Sequence, residues 1–186
     1  GKTYGAKKRA IKQFLDKGYQ FVYLRRFADE LAETAESYFN DIILNNEFPD
    51  IKIEYKNGQY FVNDRLAGYA MALTKAKDYK SISYPLVMLI IFDEFLIEDT
   101  GYTRYLKNEV NLLLDLYETI ARTRENVRML ILSNAVSFVN PLFTFFDIVP
   151  NPNERFQVFK DGLICLELFY DNKFAENKKE SKFGRL

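Results

Sequence analysis

Histidine is absent from the 186-residue chain, and the only cysteine is Cys165. The absence of histidine excludes Ser-His-Asp triads, Cys-His pairs and histidine metal sites. A single cysteine allows neither an internal disulfide nor a thiolate zinc site, and it is typical of a reducing, cytoplasmic setting. The apolar neighbours in GLICLEL predict that Cys165 is a buried strand residue. Chemistry is therefore left to carboxylates, lysine, arginine, hydroxyls, backbone amides and a hard metal such as magnesium.

The chain also lacks a charge excess and a long apolar run. Lysine plus arginine and aspartate plus glutamate each number 26, so overall charge indicates neither nucleic-acid nor membrane binding. The longest apolar run, residues 84–92, is far shorter than the ~20 residues of a membrane helix, and we expect no membrane partner. Apolar residues make up 48% of the chain, enough for a domain with a full core.

Hydrophobic periodicity predicts helices and strands that alternate along most of the chain. Between them, residues 51–73 alternate polar and apolar side chains around Asn57-Gly58, which predicts a β-hairpin. The fold class is therefore α/β, a mostly parallel central sheet flanked by helices with an inserted β-hairpin. The predicted helices are 4–17, with Gly18 as its stop signal, 28–45, and 108–123, with Asn108 as N-cap. The other predicted strands are 19–26, 86–95, 127–135 and two within 154–170. The continuous apolar run of 86–95 is typical of a strand buried on both faces of a parallel sheet.

The first three residues, Gly1-Lys2-Thr3, have the order in which a phosphate-binding loop ends. In such a loop the lysine reaches the β- and γ-phosphates of ATP, and the threonine hydroxyl binds Mg²⁺. The amides of the following helix cradle the phosphates, so the predicted helix supplies the required context. The alternative is a chance match at a frayed terminus.

Asp93 and Glu94 follow a buried strand in LIIFDEF. Ligands of α/β sheets bind at the carboxyl ends of the strands. Asp93 could hold Mg²⁺ through a water molecule, while Glu94 could orient or deprotonate an attacking water. The alternative is that both residues begin a solvated loop.

Three arginines, Arg122, Arg124 and Arg128, lie between a helix and a strand. An arginine at a rigid helix end can reach the γ-phosphate held by a neighbouring subunit. The alternative is capping of the helix carboxyl end by cations, a common surface arrangement.

Ser133 and Asn134 end the buried strand in LILSN. Their polar groups could sense the γ-phosphate or water. Capping of the next turn is the alternative, because serine and asparagine do this most often.

Two segments, YLRRF (23–27) and TKAKDYK (74–80), combine basic and aromatic residues. Such segments can contact a DNA backbone. Ordinary surface lysines explain the second one equally well.

Several runs occur in the order found in one viral family, and together they extend over nearly the whole chain. The sequence resembles the DNA-packaging (encapsidation) ATPases of small tailed podoviruses. The runs are GKTYGAKKRAIKQFLDKGYQFVYLRRFADEL, FPD, LAGYA, IIFDEF, NEV, RTRENVRMLILSNAVSFVNPLF and FGRL.

The resemblance implies a P-loop ATPase of the additional-strand, catalytic-glutamate class, with ATP and Mg²⁺ as cofactors. It places Lys2 and Thr3 in Walker A, Asp93 and Glu94 in Walker B with Glu94 catalytic, and Arg122 as a finger arginine for the neighbouring subunit. It also implies a homo-oligomeric ring that drives double-stranded DNA into a procapsid. The implied partners are the procapsid portal and a packaging RNA, in the host cytoplasm at the portal vertex.

By the same resemblance, Ser133 and Asn134 match a segment that couples hydrolysis to movement, and Arg25 and Arg26 match a basic pair near the subunit interface. One departure is Ala28, where relatives can carry a lysine. The other is that the family begins with a strand and a complete glycine-rich loop and continues beyond FGRL into a small domain.

The expected organisation is therefore an ATPase domain over 1–170, with its first strand and most of its phosphate loop missing, and a linker over 171–186 towards an absent C-terminal domain. Because the residues as written lack the cradling amides, we expect them alone to bind ATP weakly or not at all. Two other functions stay open from the residues: a related helicase or DNA-segregation motor, and a non-catalytic interaction module with this fold.

Overall fold

A computed structural model describes residues 1–97, 104–134 and 138–169. The chain divides into two compact units, Gly1–Val136 and Ser137–Leu186. The predicted domain over 1–170 thus spans the first unit and much of the second, and the predicted linker over 171–186 lies outside the described residues. None of the helices in the described ranges combines the length and apolar character that a membrane span requires.

The first unit is built on a six-stranded sheet with the order β2-β3-β4-β1-β5-β6. Strands β4, β1, β5 and β6 are parallel, and β2 and β3 extend this sheet as an antiparallel hairpin. The predicted mostly parallel sheet, its inserted hairpin and the turn at Asn57-Gly58 are confirmed. The strands are β1 Gln20–Arg25, β2 Ile53–Lys56, β3 Gln59–Val62, β4 Arg65–Ala72, β5 Val87–Phe92 and β6 Arg128–Ile131.

The described residues of this unit also form four α-helices and a 3₁₀ helix. They are α1 Lys2–Lys17, α2 Ala28–Thr34, α3 Asn40–Leu44, the 3₁₀ helix Leu73–Tyr79 and α4 Glu109–Ala121. As predicted, Gly18 ends α1, and its φ of 70° explains why glycine is used there.

One helix prediction is wrong in detail, and another is confirmed only in part. The helix predicted over 28–45 is interrupted between α2 and α3, where the chain turns and buries Ala35, Tyr38 and Phe39. Asn108 is the N-cap of α4, as predicted, but it has φ 57° and its side chain makes no capping hydrogen bond. Instead, the side chain of Glu109 accepts a hydrogen bond from the amide of Leu106 at 2.8 Å.

The sheet buries apolar side chains on both faces. On one face, Phe21, Tyr23, Leu89 and Ile91 join a core that includes Ala10, Ile11 and Phe14 of α1 and Ile42 of α3. On the other face the alternate residues of β1 and β5 are buried as well, and α4 contributes Leu113, Leu116 and Ile120 to the core. Burial on both faces explains why β1 and β5 read as continuous apolar runs.

The second unit contains α5 Pro141–Phe145 and an antiparallel pair, β7 Phe156–Phe159 and β8 Ile164–Glu167. The two strands predicted around Asp161-Gly162 are thus confirmed. The predicted burial of Cys165 is wrong, because its side chain is exposed. In this two-stranded sheet, Val158 and Cys165 face each other in register and are both exposed.

Candidate functional site

The parallel strands β1, β5 and β6 end together at one edge of the sheet. Leu24 is aligned with Phe92, and Phe92 with Ile131. The residues that follow these three strands therefore meet at one place. This edge collects Arg25, Asp93, Glu94 and Ser133, four of the residues that the sequence singled out.

Helix α1 brings Thr3 to this edge. Thr3 Oγ1 donates a hydrogen bond to Asp93 Oδ1 at 3.1 Å, although the two residues are 90 positions apart in the chain. The same carboxylate oxygen accepts the amide of Glu94 at 3.1 Å. Burial raises the pKa of Asp93, and the two hydrogen bonds oppose this rise. Asp93 is thus a desolvated carboxylate held by two donors.

Glu94 differs from Asp93 in conformation and exposure. Its φ is 55°, which turns the chain sharply at the end of β5, and its side chain is 69% exposed. Arg25 Nη2 lies 2.6 Å from Glu94 Oε2 and 3.4 Å from Glu30 Oε2. Arg25 therefore fixes the direction of a carboxylate that otherwise extends into solvent.

Arg26 directly follows β1, and its side chain is buried on the face opposite to that of Arg25. Its Nε and Nη2 bind the two carboxylate oxygens of Glu109 at 2.8 Å and 2.9 Å. Nη2 also donates to the carbonyl of Phe95, and Nη1 lies 3.5 Å from the carbonyl oxygen of Glu94. Arg26 thereby ties the turn after β5 to the start of α4.

The burial of these arginines corrects one prediction. Arg25 and Arg26 are only 7% and 3% exposed, so they do not form a basic surface that a DNA backbone could contact. Arg25 instead pairs with Glu94 and Arg26 with Glu109. In the second basic segment, Lys75 and Lys77 are exposed, while Lys80 pairs with Asp115 at 3.5 Å.

Ser133 lies at the same edge, where its hydroxyl accepts the amide of Leu96 at 3.0 Å. The backbone supports this link, because Phe95 N donates to Leu132 O at 3.1 Å. Ser133 thus holds the segment after Glu94 against the end of β6. Asn134, which follows it, is exposed.

Arg122 is not brought to this edge within the chain. It lies in the turn after α4, where the neighbouring Arg124 donates to the carbonyl of Val87 at the start of β5. Six residues of β5, at roughly 3.3 Å each, separate that end of the strand from Asp93 by about 20 Å. Within the chain, Arg122 is therefore remote from Asp93 and Glu94.

Two tyrosines next to the site were missed by sequence reasoning. The Tyr23 and Tyr38 rings stack with centroids 3.7 Å apart, and Lys7 lies over the Tyr38 ring. Burial raises the pKa of Tyr38, and the charge of Asp93 adds to the rise. Within the described residues, Tyr38 Oη has no hydrogen-bond partner. The apolar run of β1 is typical of a buried strand, but it could not predict that Tyr23 and Tyr38 lie close to Asp93.

The residues at this edge fit a magnesium nucleotide better than a metal ion alone. Among the described residues, no group of three or more carboxylate or cysteine side chains could hold a metal. Mg²⁺ in phosphate sites takes one or two protein oxygens and completes its shell with phosphates and water. Thr3 and Asp93 offer such a pair, and Gly1 and Lys2 are exposed at the start of α1, where amides favour an anion.

Comparison with known proteins identifies relatives over the whole chain. The family model for podovirus DNA encapsidation protein (Gp16) matches residues 1–186. The chain is 43% identical over 186 residues to the DNA packaging protein of Bacillus phage phi29, covering 100% of this chain and 54% of that protein. It is 42% identical to that of Bacillus phage B103, covering 100% and 56%. The chain thus spans about half the length of the curated relatives it matches.

Solved structures share the fold. The crystal structure of the N-terminal domain of the DNA packaging ATPase from bacteriophage phi29 matches with a TM-score of 0.83 and 42% identity, covering 94% of this chain and 87% of that chain. A chain of the bacteriophage Phi-29 viral genome packaging motor assembly matches with a TM-score of 0.82 and 42% identity, covering 100% and 55%. The Phi-28 gp11 DNA packaging motor matches with a TM-score of 0.83 and 28% identity, covering 100% and 57%.

Proposed function

We propose that this chain, which belongs to the podovirus DNA encapsidation protein (Gp16) family, hydrolyses ATP to drive double-stranded viral DNA into a procapsid. The observation that carries the proposal is the hydrogen bond between Thr3 and Asp93, at 3.1 Å. It joins the end of the predicted phosphate loop to the predicted Walker B strand, and a P-loop ATPase requires this pairing to bind Mg²⁺ and phosphate together.

In the proposed reaction, each residue at the edge of the sheet has one task. Lys2 and the first amides of α1 bind phosphate oxygens, while Thr3 and Asp93 hold Mg²⁺. The bound metal neutralises charge on the phosphates. Glu94 orients the attacking water, and Arg25, 2.6 Å away, directs the Glu94 carboxylate. Ser133 and Asn134, which follow β6, sense whether the γ-phosphate is present. Ser133 does so through the segment after Glu94, which it holds by the hydrogen bond from the amide of Leu96.

Arg122 completes the site of a neighbouring copy. The turn of Arg122 lies by the start of β5, and the length of this strand places that end about 20 Å from Asp93, so phosphates bound at Asp93 of the same chain are out of its reach. We therefore propose a homo-oligomeric ring in which each chain supplies Glu94 for its own ATP and Arg122 for the next. An arginine that arrives from outside stabilises charge in the transition state.

The relatives support the proposal of DNA and of a motor assembly as partners. The phi29 relative is named a DNA packaging protein, and a chain of the bacteriophage Phi-29 viral genome packaging motor assembly has the same fold. We propose that this chain binds double-stranded DNA and, in a motor of the same kind, the procapsid portal and a packaging RNA, at the portal vertex in the host cytoplasm. Lys75 and Lys77, exposed on the 3₁₀ helix, are candidates for the DNA backbone.

A mixing experiment tests the ring site. The chain, extended at both ends to the length of its curated relatives, is prepared as Glu94→Gln and as Arg122→Ala. ATP turnover with Mg²⁺ is then measured for each variant alone and for an equal mixture. Each variant alone should be inactive, because every interface lacks one of the two groups.

In a random mixture, about a quarter of the interfaces join an intact Glu94 to an intact Arg122. Turnover should therefore return in the mixture. If Arg122→Ala turns over ATP normally by itself, Arg122 has no role in trans. If extended wild-type protein shows no turnover with or without DNA, the domain is a non-catalytic module and the proposed function is wrong.

A further inference from the structure

The turn that carries Arg122 has a backbone conformation that normally requires glycine. Arg124 N donates to Ala121 O at 2.9 Å and closes a four-residue turn. The first central residue of this turn is Arg122, with φ 51° and ψ −115°. These angles are those of a type II′ turn, whose first central position is dominated by glycine because a Cβ atom is crowded there.

Arg124 is the side chain that holds this turn in place. Its Nη1 donates to the carbonyls of Pro85 at 2.8 Å and Val87 at 2.7 Å, and its Nη2 donates to that of Tyr84 at 2.9 Å. Further bonds reach the carbonyls of Ile120 and Ala121 at the end of α4. The guanidinium, which belongs to the last residue of the strained turn, therefore joins the end of α4 to the segment that leads into β5.

Unlike the side chain of Arg124, that of Arg122 is not held by hydrogen bonds to the described residues. Arg122 is exposed, and within the described residues its guanidinium takes part in no hydrogen bond or ion pair. Its backbone is fixed nonetheless, since its amide donates to Glu118 O at 2.8 Å. The result is an unpaired guanidinium on a rigid and strained backbone.

We propose that Arg124 is a positioning residue, which keeps the turn in this glycine-like conformation and so directs Arg122 towards the ATP of a second copy. The inference rests on the proposed function, in which Arg122 acts in trans. Strained backbone is stable only where surrounding contacts determine it, and the bonds of Arg124 are those contacts. Arginine is required because its planar fork carries five donors, whereas the ammonium of lysine carries three at one point.

The test distinguishes a positioning role of Arg124 from a general loss of structure. Mixing with a second variant shows whether a substitution impairs the chain that binds ATP or the chain that donates Arg122. The extended chain is prepared as Arg124→Gln and Arg124→Lys, and each is mixed in equal amounts with Glu94→Gln or with Arg122→Ala. Arg128→Gln is the matched control, because Arg128 is exposed and its guanidinium donates to a single backbone carbonyl, that of Glu125, at 2.9 Å.

Arg124→Gln should lower turnover by roughly tenfold or more, with the affinity for ATP within about twofold of wild type. Mixing it with Glu94→Gln should restore turnover, because the damage lies in the arginine given to the neighbour. Mixing it with Arg122→Ala should restore nothing. Arg124→Lys should behave like Arg124→Gln, and Arg128→Gln like wild type.

A second pair of variants tests the strain directly. Arg122→Gly and Arg122→Ala both remove the guanidinium, but only glycine adopts φ 51° without strain. The glycine variant should therefore melt at a higher temperature than the alanine variant, although glycine loses more entropy on folding.

The outcomes distinguish the two proposals. If Arg122→Ala and Glu94→Gln complement each other but Arg124→Gln is rescued by neither, Arg124 only supports the fold and the positioning role is wrong. A glycine variant that melts below the alanine variant contradicts the strained turn. If Arg122→Ala and Glu94→Gln fail to complement, the proposed trans arginine itself fails.

Discussion

Arg25 Nη2 lies 2.6 Å from Glu94 Oε2, so the end of β1 holds the carboxylate that follows β5. The next residue, Arg26, binds the opposite side of the same turn through the Phe95 carbonyl. Successive side chains of a strand point to opposite faces, and here both faces converge on one loop. The geometry of Glu94 is thus set by two neighbouring arginines.

Replacing Arg25 with glutamine should slow ATP hydrolysis more than it weakens ATP binding. We expect kcat to fall about tenfold or more and KM to change less than about threefold, because Glu94 loses its direction while the groups at the start of α1 are kept. Steady-state kinetics of the extended chain give both values. Glu30→Gln is the control, since Glu30 is the more distant partner of Arg25, at 3.4 Å. A rise in KM with unchanged kcat would contradict this role.

Asp93→Asn should stabilise the protein at neutral pH when nucleotide and magnesium are absent. Burial raises the pKa of Asp93 above 3.8, so the folded state binds this proton more tightly than the unfolded state. Protonated Asp93 therefore stabilises the folded state fully below pH 3.8, and this stabilisation is lost as the pH rises through the raised pKa. The neutral asparagine never carries the buried charge.

The free energy of unfolding of Asp93→Asn should therefore exceed that of the wild type most at neutral pH, and the difference should disappear as the pH falls towards 3.8. Denaturant unfolding of both proteins across this range measures it. Equal stability at pH 7 would show that the ionised carboxylate is not penalised in the fold.

Glu109→Ala should destabilise the domain by about 3–5 kcal/mol, because it leaves the Arg26 charge buried without its partner. The side chains of Arg26 and Glu109 are only 3% and 1% exposed. Asp115→Ala on the same helix is the matched control. Its pair with Lys80 is more than half exposed, and we expect a loss below about 1 kcal/mol. Thermal or denaturant unfolding of the two variants should separate them clearly, and similar losses would refute the buried pair.

Two glycines should respond oppositely to alanine. A Cβ atom at Gly68 would lie 2.7 Å from the backbone oxygen of Phe21 and from its ring, so β4 and β1 would have to separate, at a cost of about 1–3 kcal/mol. At Gly5, inside α1, nothing lies within 4 Å of the new atom. Because alanine loses less backbone entropy than glycine on folding, this substitution should raise the free energy of unfolding by about 0.5–1 kcal/mol. Unfolding free energies of both variants test this, and a neutral Gly68→Ala would contradict the close approach.

Local patterns predicted much of the fold because each carries its own physical cause. The apolar run of β5 indicated a strand buried on both faces, Asn57-Gly58 indicated the hairpin, and Gly18 indicated the end of α1. Asp93 and Glu94 could be predicted at the site because they follow a buried parallel strand. All of these depend on neighbours in the sequence.

The features that depend on distant contacts could not be predicted in the same way. The partners of Arg25 and Arg26 are Glu94 and Glu109, which lie 69 and 83 positions away, and the charged pair therefore resembled a surface patch. The break between α2 and α3 results from packing of Tyr38 and Phe39 into the core. Cys165 has apolar neighbours, but it lies on the outer face of a two-stranded sheet.

The most direct test of the central claim compares nucleotide binding with hydrolysis in Glu94→Gln protein of the extended chain. Binding of ATP with Mg²⁺ is measured by titration, and phosphate release is measured in a single turnover. Because glutamine keeps the size of the side chain but loses its charge, we predict near wild-type binding and phosphate release reduced by about 10²–10⁴-fold. Phosphate release at the wild-type rate would contradict the assignment of Glu94 and the proposed hydrolytic site with it.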